Sequence, residues 1–253
     1  MRSRILKAVV TGATSGIGRE IAILLSEKGI ETVIVGRREK ELCDLRARLS
    51  TNTTIEVLDL FDPNNAKLLF EKHKDSDIIV NCAGIGFFGE FDKTDLDREI
   101  DMISLNVISL HVLTKLFYKE FQKRGEGKIL NVASSAAYFV GPHYSSYYAT
   151  KAYVHRLTRA ISSECKKHSK NITVTLFCPG PVKTDFGKAD GIKDGKGAIS
   201  PEFAAKKALD GLFKGKEVVF PNFTTRFLVF LSKVLPEKVT TEIVYKEQLK
   251  KKK

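Results

Sequence analysis

The sequence predicts an α/β protein built on a doubly wound, mostly parallel sheet of about seven strands, with helices on both faces. Three observations predict it. Short apolar segments alternate with longer amphipathic ones almost from end to end. The short segments are apolar throughout, as in strands covered on both faces. A glycine-rich turn, "TGATSGIG", joins the first of them to the first helix. Strand–helix alternation with right-handed crossovers winds such a sheet.

Each element has its own local reason. "KAVVTG" is β-branched and bounded by glycine, a buried strand. "GREIAILLSEKG" carries Ile21, Leu24 and Leu25 and closes on Gly29, a helix with its C-terminal stop. The unit then repeats: "ETVIVG" a strand, "EKELCDLRARLS" a helix, "TIEVLDL" a strand, "PNNAKLLFEKH" a helix and "SDIIVNCAG" a strand. A long helix is expected across "DREIDMISLNVISLHVLTKLFYKEFQKR", then the strand "GKILNVAS", a helix over 145–168 and the strand "NITVTLFCPG". Residues 184–200 are polar and glycine-rich and read as a mobile substrate loop. A helix near 201–214, the strand "KEVVFP" and an apolar and basic extension over 222–253 complete the chain. No linker interrupts the pattern, so residues 1–253 read as one domain.

The totals narrow the function classes. The chain has 253 residues, 43% hydrophobic and 28% charged, enough to bury a core without staples. Cys43, Cys82, Cys165 and Cys178 are scattered with no C-x-x-C pair, which fits a reducing cytosol and a cytoplasmic location. The basic, apolar start runs straight into the glycine turn and reads as a first strand, not a signal peptide. No apolar run is expected to approach the roughly 18 residues of a spanning helix. The net charge of +12 fits a solvated lysine-rich surface ending in Lys250–Lys253, or attraction to an anionic partner. No interleaved aromatic and basic motif supports nucleic-acid binding.

The chemistry starts at the glycine turn. Gly12, Gly16 and Gly18, with Thr14, Ser15 and Ile17 between them, let the backbone turn sharply and approach a ligand. The helix N-terminus then presents free N–H groups and its positive dipole end to a pyrophosphate. At the end of the second strand, where an acid would bind the ribose of NAD, stand Arg37 and then Arg38. A guanidinium grips a 2′-phosphate that a carboxylate would repel, which favours NADP(H). Downstream, "SSYYATKAY" sets Tyr147 four residues and Tyr148 three residues before Lys151. Either spacing puts a phenol and an ammonium on one helix face, and spacing alone does not choose. An adjacent ammonium is expected to bring a phenol's pKa down from near ~10 towards useful proton transfer.

These motifs together resemble the short-chain dehydrogenase/reductase family in its single-domain, NADP(H)-preferring branch, over about residues 5–185. Its T-G-x-x-x-G-x-G is met by Thr11, Gly12, Gly16 and Gly18, and its N-N-A-G appears as "NCAG", with Asn81, Ala83 and Gly84 kept and Cys82 in the second position. The resemblance implies a Rossmann-type fold and hydride transfer between a nicotinamide and a carbonyl–alcohol pair. It assigns Tyr147 as the proton donor, Ser134 rather than Ser135 as its partner on the carbonyl, and Lys151 to lower the tyrosine pKa and hold the nicotinamide ribose. It gives Asn106 a water-positioning role behind Lys151, and Asp59 with Leu60 the adenine. Pro179, Gly180, Val182 and Thr184 of "PGPVKT" fall on the segment that fixes the carboxamide. No metal is implied. Tyr148 is expected to turn about 100° away into packing, and Tyr138, His143 and Tyr144 to border the pocket. A dinucleotide-binding regulator or scaffold of the same fold is the alternative function.

Two partner expectations remain. Family members are commonly dimers or tetramers, and the long helices at about 98–124 and 145–168 are apolar enough to form the contact. Phe223, Phe227, Leu228, Phe230, Leu231 and Leu235 are expected to make one apolar helix face. It would pack on the body or a subunit partner, cover a long apolar substrate, or make peripheral membrane contact near the lysines.

Overall fold

A computed structural model describes residues 5–168, 171–186 and 197–251. The chain runs β1 (Lys7–Thr11), α1 (Gly16–Glu27), β2 (Glu31–Gly36), α2 (Glu39–Arg46), β3 (Thr53–Val57), α3 (Pro63–His73) and β4 (Ile78–Asn81). It continues through α4 (Leu96–Ile103), a π-helical turn (Ser104–Ser109), α5 (Leu110–Arg124), β5 (Gly127–Val132), a 3₁₀ turn (Ser135–Tyr138) and α6 (Ser145–His168). Then follow β6 (Ile172–Phe177), α7 (Pro201–Phe213), β7 (Val218–Val219), α8 (Phe223–Val234) and α9 (Glu237–Lys251).

The strands form one seven-stranded sheet in the order β3-β2-β1-β4-β5-β6-β7. Every pair is parallel, with Val9 opposite both Val33 and Ile79. The order reverses between β1 and β4, which opens a crevice at the strands' carboxyl ends. Alternation along the strands fills both faces. Val10, Ile34, Val80 and Leu130 pack with Ile21 and Leu25 of α1 and Leu209 and Leu212 of α7. Val9, Val33, Ile79 and Ile129 pack on the other face with Leu69 of α3 and Leu113, Phe117 and Phe121 of α5. Phe117 and Phe121 are fully buried, so truncating either to alanine costs about 3–5 kcal/mol.

Two expectations need correction. The helix Leu96–Arg124 is 29 residues long and holds a window of mean hydropathy 1.4, enough by length and composition to cross a membrane. Its apolarity has a structural cause, because one side of α5 lies on the sheet while Ile100 and Ile108 face outward. The C-terminal apolar residues do not pack on the body as expected. Thr225 and Val229 form the inner face of α8, whereas Phe223 is 78% exposed and Phe230 57%. At about 100° per residue, Phe223, Phe227, Phe230 and Val234 make a stripe opposite that inner face. Most of the glycine-rich loop, 187–196, and the terminal Lys252 and Lys253 lie outside the described residues. The loop's flanks meet in a parallel bridge between Val182 and Ile199.

Candidate active site

The glycine turn sits at the carboxyl end of β1. Gly12 has φ +68°, and an added Cβ would stand 2.8 Å from the backbone of Ala83, so only glycine fits there. Thr11 ties the same junction together, its Oγ1 accepting from the N–H groups of Cys82 and Ala83 at 3.1 Å each. Several helices are capped by a side chain, as α3 is by Asp62 and α8 by Asn222. At α1, Ser15 makes no side-chain cap and the first turn holds no acid. Its amides therefore keep their capacity for an anion. Thr184 closes in on the turn, with its Cγ2 3.0 Å from where a Gly16 Cβ would be.

The two arginines diverge. Arg37 lies over the Phe61 ring at 4.3 Å and stands 4.0 Å from Asp59. Arg38 turns back to the glycine turn and donates to Thr14 Oγ1 at 2.9 Å, with Glu41 3.5 Å away. Both guanidiniums are half exposed at the mouth of the crevice. Asp59 Oδ1 accepts from Phe61 N at 3.0 Å, and the carbonyl of Leu60 is held by Ser109 Oγ at 2.6 Å. Beneath the crevice, Asn81 donates to Thr114 and Asn131 at 3.1 and 2.8 Å, while its own buried Oδ1 finds no partner.

The phenol, amine and hydroxyl meet across α6 and the end of β5. Ser134 is in extended backbone, and its Oγ accepts from Ala136 N at 3.1 Å and is hydrogen-bonded to the Tyr147 side chain. Ser135 instead uses its N–H on the Pro179 carbonyl at 2.8 Å. Lys151 Nζ stands 5.8 Å from the centre of the Tyr147 ring and donates to the Val132 carbonyl at 3.1 Å. Gly84 and Gly86 border the group: a Cβ on Gly84 would be 3.4 Å from Lys151 Nζ, and one on Gly86 would be 3.0 Å from Tyr147 Cδ2. Tyr148 points elsewhere, with its ring on Gly141 and its hydroxyl accepting from Gln248 Nε2 at 2.7 Å.

The electrostatics differ from the expectation in one respect. Burial pushes the Tyr147 phenol upward, and Ser134 offsets only part of that shift. Burial also lowers Lys151 to about 8, which leaves it mainly charged at neutral pH. Two thiols beside it, Cys82 and Cys178, are pushed up to about 12 by burial and are neutral. Desolvation is the largest cause of the Tyr147 and Lys151 shifts, because both groups leave water. Asn106 is fully buried in the π-helical turn, the kind of distortion that recurs at functional sites. Its amide accepts from Ile85 N at 3.0 Å and donates to Ile85 O at 2.8 Å and Thr150 Oγ1 at 3.2 Å. These bonds hold the Asn106 side chain against residues 84–86.

Sequence reading named His143 as a border of the pocket but missed its ring partners and Phe186. His143, at φ +64°, stacks between Phe88 at 5.4 Å and Tyr245 of α9 at 5.2 Å. Phe186 lies 5.4 Å from the Tyr147 ring and encloses it from the loop side. No local pattern announces either contact, since the partners are distant in sequence.

A doubly wound parallel sheet, a glycine turn at its switch point and a Ser–Tyr–Lys cluster over the same crevice define a dinucleotide-dependent oxidoreductase. The chain belongs to the short chain dehydrogenase family, whose model matches residues 6–194. It is 32% identical over 192 residues to an uncharacterised oxidoreductase of Staphylococcus epidermidis, covering 72% of this chain and 82% of that one. A short-chain dehydrogenase from Sphingobium yanoikuyae in complex with NADPH has a TM-score of 0.82 at 23% identity, covering 91% of this chain and 94% of that one. A family member from Burkholderia phymatum in complex with NAD has a TM-score of 0.81 at 18% identity, covering 91% and 94%. These two likenesses describe the fold, and their cofactors differ.

Proposed function

We propose that the protein is an NADP(H)-dependent oxidoreductase that interconverts a small ketone or aldehyde with its alcohol. The carrying observation is the Tyr147 phenol set between Ser134, the side chain that lowers its pKa, and a buried Lys151 whose Nζ lies 5.8 Å from its ring centre. A regulator of the same fold would not need a desolvated ammonium at that place.

The residues present fit the cofactor. The Gly12 cradle, with Gly16, Gly18 and the uncapped start of α1, suits a pyrophosphate. Arg37 and Arg38 suit a 2′-phosphate, because β2 ends in Gly36 and no acid precedes them there. Asp59 and Leu60 would border the adenine, and Asn81, Ala83 and Gly84 the adjoining ribose. Val182 and Thr184, with Pro179 and Gly180, would hold the carboxamide. NADP(H), when bound, supplies or accepts the hydride.

The chain's own groups handle the oxygen. In reduction, the Ser134 and Tyr147 hydroxyls donate to the substrate carbonyl and polarise it. Because burial holds its pKa up, Tyr147 is a neutral phenol at pH 7, the form that gives its proton to a developing alkoxide. The Lys151 ammonium then stabilises the phenolate left behind. Phe186, Tyr144 and Phe88 give the pocket an apolar rim, which suits a substrate with an apolar body. The test is a panel of aldehydes and ketones of rising chain length, followed by NADPH absorbance and repeated with NADH. Turnover that prefers NADPH supports the reading; no turnover across the panel with either cofactor sinks it.

A further inference from the structure

Away from the cofactor crevice, a cavity of about 750 Å³ lies between the Ser135–Tyr138 turn, the flank of α6 and the α8–α9 junction. That volume suits a ligand of some tens of atoms. Its wall carries Arg156, Arg159 and Lys233 against one acid, Glu237. Arg159 shares its charge with Glu217 at 3.5 Å. Among the described residues, Arg156 and Lys233 make no ion pair, and Lys233 sits 5.8 Å over the Tyr138 ring.

A neutral donor–acceptor stands in the same wall. His155 packs on Tyr138 at 4.5 Å, and its buried Nδ1 has no partner. Burial first, then the charges of Arg156, Arg159 and Lys233, lower its pKa to about 4, so it stays uncharged beside three cations. The rest of the wall is mixed: Ser232 and Thr240 bring hydroxyls, and Tyr138, Val140 and Leu235 form an apolar strip. Unpaired cations and an orphaned imidazole nitrogen beside an apolar strip suit an anion with a short apolar body.

We propose that this cavity binds an amphipathic anion, a carboxylate or a phosphate monoester on an apolar chain. The head group lies between Arg156 and Lys233, and the chain runs along Tyr138, Val140 and Leu235. The site is independent of the cofactor, and neither cation belongs to the Ser134–Tyr147–Lys151 cluster.

The test is calorimetric titration of sodium decanoate, below its micelle concentration, into the full-length protein with NADP⁺ present. Decanoate binds the unmodified protein, and Arg156→Gln with Lys233→Gln weakens that binding about tenfold or more. Carbonyl turnover in the double variant stays within about twofold, since both side chains lie outside the catalytic cluster. Decyl phosphate titrated in parallel assigns the head group, the tighter anion being the ligand class. The proposal is overturned by decanoate affinity unchanged in the double variant, by 1-decanol binding as tightly as decanoate, or by no binding of either anion.

Discussion

Replacing Lys151 by methionine removes a buried ammonium and leaves a side chain of similar length. Burial lowers the folded-state pKa of Lys151 from 10.5 to about 8. A base whose pKa falls on folding penalises the fold whenever it is protonated, because the unfolded chain then binds the proton more tightly. The penalty is fully present below pH 8, at about 3 kcal/mol, and fades as pH rises towards 10.5. Wild-type protein therefore gains about 2–3 kcal/mol relative to Lys151→Met between pH 7 and pH 10. The lost hydrogen bond to Val132 shifts the variant by a nearly constant amount and drops out of the comparison. Urea denaturation of both proteins without cofactor, at pH 7, 8, 9 and 10, reads the difference directly. Parallel pH profiles, or a wild type that loses ground to the variant as pH rises, would refute the buried-ammonium argument.

The other predictions concern the cofactor mouth, the second tyrosine and the exposed helix. Arg37→Ala or Arg38→Ala raises the KM for NADPH about tenfold and leaves that for NADH little changed; equal effects on the two cofactors would remove the 2′-phosphate assignment. Tyr148→Phe keeps turnover within about threefold and destabilises the fold by about 1 kcal/mol through the lost Gln248 bond, read by steady-state rates and urea midpoints. Wild-type protein floats with anionic liposomes and Phe227→Ser with Phe230→Ser stays at the bottom of the gradient; equal flotation would mean that the α8 stripe serves another contact.

Local patterns carried the fold far. Apolar runs such as Val9–Val10 and Val33–Val35 announced central strands, and the Gly12–Gly18 turn marked the junction of β1 with α1. Gly12 is legible because its conformation is set within a few residues of itself. The rest depended on distance. Which way α8 would turn was not legible, because an apolar stripe looks the same whether it meets a core or solvent, and Thr225 took the inner face. Arg38 reaches the glycine turn through Thr14, 24 residues away, where the sequence pointed first to Arg37. Tyr148 owes its place to Gln248, 100 residues on. The phenol's shift ran opposite to expectation for the same reason: a Tyr–Lys spacing encodes proximity, while desolvation is produced by the whole surrounding fold.

The proposed chemistry is tested most directly by following the label from NADPH deuterated at the transferable position of its nicotinamide ring. With a carbonyl that the protein turns over, mass spectrometry of the product alcohol shows one deuteron on the carbinol carbon. Tyr147→Phe still binds NADPH but yields labelled alcohol at least a hundredfold more slowly, within the range a positioned proton donor contributes. An alcohol formed without the label, or a Tyr147→Phe variant that makes it at the wild-type rate, would contradict the account.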